Sequence, residues 1–180
     1  MRSAMSTPIP TETLRQSVKP VVSAVNGLCQ GGGLQIALCS DMAVVSDRAT
    51  FRVPELFRGI ADTYYSQILA RLIGPVRTRD LMLTGRTLTA AEAEDWGMVS
   101  RVVPHDELLP TAMGLAEEIA ANPPLAVQRI KEGLALALDP DWDEVGRWVS
   151  SALAELFLTE DHREGVAAFL EKREPTYVGR

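Results

Sequence analysis

The pattern of apolar and polar positions separates a mixed first part of the chain from a helical last part. Short apolar runs rich in β-branched residues predict strands. They cover residues 20–25, 42–45, 50–53 and 98–103. Apolar residues three or four positions apart predict helices between these strands and throughout the remainder of the chain. These cover residues 34–39, 59–74, 75–84, 111–122, 125–138, 145–156 and 160–173.

This order of elements predicts an α/β core followed by a helical C-terminal region. Residues 1–18 are polar and turn-rich, which predicts a poorly ordered leader with room for a short helix at 12–18. The core is expected at 19–110 and the helical region at 111–180. Within the core, Thr89 and Glu92 form the pattern of a capping box, so a short helix is expected to begin there.

A glycine triplet, residues 31–33, joins the first predicted strand to the first predicted helix. Glycine permits unusual backbone angles and a close approach of other atoms to the main chain. The first N–H groups of a helix have no acceptor within it and carry partial positive charge. The triplet therefore predicts either a site for a phosphate or a developing oxyanion, or a tightly packed turn with no ligand.

Composition excludes several classes of function. The net charge is −6 and the isoelectric point is near 5.0, which argues against a nucleic-acid partner. The two cysteines, Cys29 and Cys39, fit no metal-ligand spacing, so no metal is expected, and reduced thiols in the cytoplasm are the simple interpretation. No apolar run reaches the length that a bilayer requires, so no membrane partner is expected.

Many segments of this chain, in their order and spacing, resemble the signature of the crotonase (enoyl-CoA hydratase/isomerase) superfamily. The resemblance extends over residues 19–178. The segments are KPVVSAVNG at 19–27, GGG at 31–33, CSD at 39–41, FRVPE at 51–55, LIG at 72–74, LTGR at 83–86, AEA at 91–93, WGMV at 96–99, TEDHREG at 159–165 and FLEKR at 169–173.

The resemblance implies a crotonase-like spiral of ββα units, of the ClpP/crotonase type, with a C-terminal helical trimerisation region. It implies an acyl-CoA thioester as partner, with coenzyme A as part of the substrate and no other cofactor. It also implies a homotrimer or a dimer of trimers. Gly32 would donate one of two backbone N–H groups to the thioester oxyanion, and Phe169 and Lys172 would contact coenzyme A.

Three departures from the family pattern bear on the chemistry. The strands that precede Lys19 in the family, and supply the second oxyanion N–H, are expected to be missing, so the spiral would be truncated at its N-terminus. One of two hydratase carboxylates is replaced by Gln35, whose amide holds water or substrate without exchanging a proton. The other carboxylate matches Glu55, and Asp62 falls at an isomerase aspartate if one gap is allowed.

Two functions of different classes follow from the resemblance. In the first, the protein stabilises a thioester enolate, and Glu55 carries a proton between carbons, which favours double-bond isomerisation over hydration. In the second, it is a non-catalytic acyl-CoA-binding or assembly subunit, or an inactive fragment. The missing N-terminal strands and Gln35 favour the second, whereas Glu55 and Gly32 favour the first.

Overall fold

The strands and helices follow the predicted order through most of the chain. The computed structural model describes residues 10–61, 63–122, 124–138, 154, 156–176 and 178. The strands are β1 Val22–Val25, β2 Leu28–Gln30, β3 Met42–Ser46, β4 Thr50–Arg52, β5 Leu88–Thr89 and β6 Arg101–Val103. The helices are α1 Pro10–Gln16, α2 Gly32–Cys39, α3 Thr63–Leu72, α4 Gly74–Thr84, α5 Ala90–Asp95, α6 Leu108–Ala120, α7 Pro124–Leu138 and α8 Glu160–Glu171. Two 3₁₀ turns cover Pro54–Arg58 and His105–Glu107.

The strands form two three-stranded sheets. One has the order β1-β3-β6 and is parallel throughout, whereas the other has the order β2-β4-β5, with β2 parallel to β4 and β5 antiparallel to it. Within each of the successive pairs β1–β2, β3–β4 and β5–β6, the two strands therefore enter different sheets. Each ββ pair adds one strand to each sheet, which is the ββα spiral that the resemblance implies.

The main hydrophobic core lies between the sheets and helices α2 to α5. Its central side chains are fully buried. They include Leu34, Val45, Phe51, Tyr65, Leu69, Leu81 and Leu88. A smaller cluster joins β3 to α6 through Val44, Leu108, Ala112 and Leu115. Burial of this kind stabilises a fold by about 25 cal/mol per Å² of apolar surface, so the core fixes the position of α2 and the turns around it.

Local sequence signals account for several helix ends. The capping box at α5 is formed as predicted: Thr89 Oγ1 accepts the Glu92 N–H at 3.2 Å, and a Glu92 carboxylate oxygen accepts the Thr89 N–H at 2.9 Å. Helix α4 has Pro75 in its first turn and ends at Gly85, which adopts the left-handed conformation with φ of 62°. Such an ending favours glycine because it has no β-carbon.

The structure corrects the prediction for the first residues. Within the segment predicted as a poorly ordered leader, Pro10–Gln16 forms α1, which packs against α2 and buries Thr11. Residues 1–9 and the predicted helix at 145–156, apart from residues 154 and 156, lie outside the described residues. Strand β2 lies inside the segment 26–33, where the sequence predicts only a turn.

Among the described residues, no helix is both long enough and apolar enough to cross a bilayer.

Candidate active site

Gly31 shapes the turn between β2 and α2. Its backbone angles, φ 54° and ψ −133°, lie in a region that is essentially restricted to glycine. The first bond of the helix runs from the Gln35 N–H to the Gly31 carbonyl oxygen, at 3.1 Å. The N–H groups of Gly32, Gly33 and Leu34 precede this bond and so have no acceptor within α2. Gly32 and Gly33 are both exposed residues.

Strand register brings Glu55 to this turn. Strands β2 and β4 run parallel with Gln30 opposite Arg52, so the residues that follow each strand emerge at the same edge of the sheet. A 3₁₀ turn, Pro54–Arg58, begins two residues after β4 and carries Glu55; we call it the Glu55 turn. A β-carbon built on Gly31 would lie 3.3 Å from Oε1 of Glu55. The other carboxylate oxygen, Oε2, is buried.

Tyr65, on α3, contacts the same turn from the core side. Its side chain is fully buried, and its hydroxyl donates a hydrogen bond to the Gly31 carbonyl oxygen at 2.5 Å. That oxygen therefore accepts from both Tyr65 and the Gln35 N–H. This contact is not predictable from the sequence, because an aromatic residue on an apolar helix face is typical of a core position.

One side of the Glu55 turn is held by the end of α4. The ring of Phe57 lies over Gly85, where a β-carbon would be 2.4 Å from the ring. Arg52 joins the two residues: its guanidinium lies 4.5 Å from the Phe57 ring centre, and its Nε donates to the Gly85 carbonyl at 2.7 Å. The turn is therefore fixed against α4 by contacts that only a glycine at position 85 permits.

Helix α8 covers the other side of the Glu55 turn. A β-carbon on Gly165 would lie 2.5 Å from Cα of Arg58, and one on Gly59 would lie 2.8 Å from the Asp161 backbone. The Arg58 guanidinium lies 4.4 Å from the ring centre of Phe169. Because two glycines allow the backbones to approach this closely, α8 directly supports the segment that carries Glu55.

Residues 10–180 match the sequence model of the enoyl-CoA hydratase/isomerase family. The chain belongs to this family. Since the match begins at residue 10, α1 lies inside the family region, which agrees with its packing against α2.

The chain is also similar in sequence to individual members of the family. The chain is 41% identical over 170 residues to a mevalonyl-coenzyme A hydratase of Aspergillus fumigatus, covering 91% of this chain and 62% of that protein. It is 39% identical over 170 residues to a probable enoyl-CoA hydratase of Rhizobium meliloti, covering 94% of this chain and 66% of that protein. It thus spans about two thirds of the length of these relatives.

Solved structures of the family confirm the fold. The crystal structure of a carnitinyl-CoA hydratase from Mycobacterium avium superposes with a TM-score of 0.82 at 34% identity, covering 91% of this chain and 64% of that one. The crotonase-like α/β fold that the resemblance implies is therefore confirmed for this enoyl-CoA hydratase/isomerase family member.

Of the remaining predicted site residues, one lies on α2, one lies outside the described residues, and two lie at the C-terminal end of α8. Gln35 is half-buried in the first turn of α2. Asp62 lies outside the described residues, immediately before α3. Phe169 and Lys172 lie at the C-terminal end of α8; both are exposed, and Lys172 adopts the left-handed conformation with φ of 55°. The structure therefore brings Glu55 to the glycine turn and places the two predicted coenzyme A contacts on the helix that covers the Glu55 turn.

The chemistry of the site is that of a carboxylate beside a cluster of N–H groups. Across the described ranges, no group of three His, Cys, Asp or Glu side chains is arranged to hold a metal ion. Cys29, one strand residue before Gln30, is buried, and burial raises the pKa of its thiol to about 11. A thiol with so high a pKa is neutral at pH 7 and is a poor nucleophile. Among the described residues, the Glu55 carboxylate is an acidic group that lies against this turn.

Proposed function

We propose that the protein processes an acyl-CoA thioester by forming its enolate, with Glu55 as the proton carrier and the Gly32 N–H as the donor to the enolate oxygen. The observation that carries this proposal is the position of Glu55 Oε1 against Gly31, the residue that immediately precedes α2. A carboxylate and a preorganised N–H donor at one turn are what proton abstraction next to a thioester carbonyl requires.

The proposed reaction moves a double bond. The Glu55 carboxylate takes a proton from the α-carbon of a β,γ-unsaturated thioester, and the electron pair of the broken C–H bond moves onto the carbonyl oxygen. The dienolate oxygen accepts a hydrogen bond from the Gly32 N–H. The protonated Glu55 then returns the proton to the γ-carbon, which leaves the double bond between the α- and β-carbons.

Isomerisation is favoured over hydration because Gln35 cannot exchange a proton. Hydration requires that one group removes a proton from water while a proton is delivered to the α-carbon. An amide at position 35 can hold water but has no titratable proton near neutral pH. A single carboxylate is sufficient for the isomerisation, since the same proton is taken and returned.

Hydration is the second candidate, because the relatives and the solved structure named above all carry the name hydratase. Incubation with a β,γ-enoyl-CoA and with an α,β-enoyl-CoA separates the two reactions by their products. Our proposal predicts the α,β-isomer from the first substrate and little 3-hydroxyacyl-CoA from the second. Dominant formation of 3-hydroxyacyl-CoA would contradict the preference. Gln35→Glu supplies the second carboxylate and is expected to raise the hydration rate about tenfold or more.

The same assay separates an enzyme from a binding protein. Binding of an acyl-CoA by calorimetry without turnover of either substrate would support a non-catalytic acyl-CoA-binding subunit. Absence of both would support an assembly role or an inactive piece of a longer protein. We expect Phe169 and Lys172 to contact coenzyme A, so Lys172→Ala should weaken acyl-CoA binding. We also propose that the protein is located in the cytoplasm.

Oligomerisation is a further part of the proposal. Large apolar side chains are exposed on α6 and α7. They include Leu109, Met113, Leu125, Ile130 and Leu134. Exposed apolar faces on neighbouring helices are typical of subunit contacts. We expect a homotrimer or a dimer of trimers, and light scattering at micromolar concentration tests it; a monomer would contradict the proposal.

A further inference from the structure

The oxyanion donor belongs to a peptide whose other end is held by a buried tyrosine. The Gly31 carbonyl and the Gly32 N–H are parts of one peptide group, which is planar and, like the other peptide bonds of the described residues, not cis. In a trans peptide the N–H points opposite to the C=O. Whatever fixes the direction of the Gly31 carbonyl therefore also fixes the direction in which the Gly32 N–H points.

The residues of the turn have no side chains of their own to supply that constraint. Gly31, Gly32 and Gly33 have no side chains, and β-carbons built on Gly32 or Gly33 would meet nothing within 4 Å. Consecutive glycines have the greatest backbone freedom of any sequence. The two hydrogen bonds that the Gly31 carbonyl accepts are contacts that hold the orientation of this peptide.

Tyr65 is suited to this task because it is rigid and comes from outside the turn. Its ring is fully buried in the main core, and its hydroxyl lies 2.5 Å from the Gly31 oxygen. The second donor, the Gln35 N–H at 3.1 Å, is part of α2 and moves with it. Tyr65 therefore ties the peptide to α3, independently of α2.

The hydrogen bond from Tyr65 to the Gly31 carbonyl also strengthens the Gly32 N–H as a hydrogen-bond donor. A hydrogen bond accepted by a peptide carbonyl polarises that peptide and makes its N–H a better donor, by about 10–30% per bond in condensed phases. The Gly31 carbonyl accepts two such bonds. The Gly32 N–H is thus both aimed and polarised by the groups behind it.

From these contacts we infer that Tyr65 is a positioning residue for enolate stabilisation, acting through the Gly31–Gly32 peptide. The inference rests on the proposed function, since it assigns a supporting residue to the Gly32 N–H. Tyr65 does not touch the substrate in this arrangement; its hydroxyl lies behind the peptide, on the core side.

The test uses a ligand that reports enolate stabilisation without turnover. Acetoacetyl-CoA has a neutral form and an enolate form that differ in near-ultraviolet absorption, so the apparent pKa of the bound ligand is measured by titration. Butyryl-CoA, which stays neutral, reports ordinary thioester binding. The variant is Tyr65→Phe, which keeps the ring. The control is Thr78→Val, which removes another buried hydroxyl that donates to a glycine carbonyl, Gly74, at 2.8 Å.

We expect the wild-type protein to lower the pKa of bound acetoacetyl-CoA below that of the free ligand. Tyr65→Phe should raise the bound value by about one unit, a tenfold loss, which is less than the 10²–10³ that follows removal of an oxyanion donor itself. Its affinity for butyryl-CoA should change less than threefold, and Thr78→Val should match the wild type in both measurements.

Two results distinguish a failure of the proposed oxyanion site from a failure of the role assigned to Tyr65. If the wild type binds both ligands without lowering the pKa of acetoacetyl-CoA, the proposed oxyanion site is wrong and the role of Tyr65 falls with it. If the wild type lowers the pKa and Tyr65→Phe behaves as Thr78→Val does, only the role of Tyr65 is overturned. Biosynthetic replacement of tyrosine by 3-fluorotyrosine, a stronger donor, gives a second test if Tyr65→Phe does not fold: the bound pKa should fall further, and an unchanged value contradicts the inference.

Discussion

Glu55 lies against Gly31: Oε1 of its carboxylate is 3.3 Å from the point where a β-carbon on Gly31 would stand. The two residues come from different ββα units and meet because β2 and β4 pair in parallel. This contact places a proton carrier beside the exposed start of α2. A β-carbon at position 31 would require the Glu55 carboxylate to move by a few tenths of an ångström.

Gly31→Ala should therefore disturb both the fold and the site. The alanine must adopt a positive φ of 54°, which costs about 1–3 kcal/mol, and its methyl group displaces the Glu55 carboxylate. We expect a lower free energy of unfolding in chemical denaturation and a loss of enoyl-CoA turnover.

Gly97→Ala is the matched control for Gly31→Ala. Gly97 also has a positive φ, 73°, but a β-carbon there would meet nothing within 4 Å. The Gly97→Ala variant should lose stability to an extent similar to that of Gly31→Ala, but it should keep its enoyl-CoA turnover. Equal turnover in the two variants would contradict the importance of the Glu55–Gly31 contact.

Signals that are local in the sequence were sufficient to predict much of this fold. The capping box of Thr89 and Glu92 depends on residues three positions apart, and α7 begins at Pro124, one residue before the predicted start at 125. Strand β2 was missed because its three residues lie within a glycine-rich segment and are stabilised by pairing with β4, more than twenty positions later. Helix α1 was underestimated for a similar reason, since it is held by packing against α2.

The support of the Glu55 turn by α8 predicts opposite effects for two helical glycines. Gly165→Ala places a methyl group 2.5 Å from Cα of Arg58, and such overpacking costs about 1–3 kcal/mol. Gly114→Ala in α6 meets nothing within 4 Å and should stabilise the helix by about 0.5–1 kcal/mol.

Hydrogen exchange shows whether the disturbance reaches the Glu55 turn. The Gly59 and Ile60 amides donate to Leu56 and Glu55 carbonyls, both at 3.1 Å. They should exchange faster in Gly165→Ala than in Gly114→Ala. Equal exchange at these amides, with α8 still folded, would show that α8 does not hold the turn.

The stability of the fold is expected to depend on pH through Glu164 in α8. Two hydrogen bonds from the Arg173 guanidinium, at 2.5 and 2.8 Å, and one from the Thr176 N–H lower the pKa of Glu164 from 4.5 to about 2. Because the folded-state pKa is the lower one, this contribution to stability is present above about pH 4.5 and is lost as the pH falls to 2.

Thermal unfolding at several pH values measures this contribution. Glu164→Gln should lower the midpoint relative to the wild type at pH 6–7, and the difference should shrink between the two pKa values, about 4.5 and about 2. Glu118→Gln, on the exposed face of α6, is the control and should show a smaller difference. A difference for Glu164→Gln that grows on acidification would contradict the assignment.

The candidate site could be predicted only as far as a family resemblance reaches. The resemblance predicted that Glu55 and Gly32 serve one site, and the structure does bring Glu55 to the glycine turn. It gave no information on Tyr65, whose hydroxyl contacts a carbonyl 34 residues earlier. It also gave none on Gly165, where the close approach of the Arg58 backbone requires a glycine. Contacts between distant segments decide both positions.

The central claim, that Glu55 removes a proton next to a thioester carbonyl, is tested most directly by isotope exchange at the α-carbon. The protein is incubated with butyryl-CoA in D₂O, and deuterium incorporation is followed by mass spectrometry for the wild type, Glu55→Gln and the control Glu118→Gln. Our account predicts exchange by the wild type and by Glu118→Gln, and a rate about 10²–10⁴ lower for Glu55→Gln. Equal exchange rates for Glu55→Gln and the wild type would contradict it.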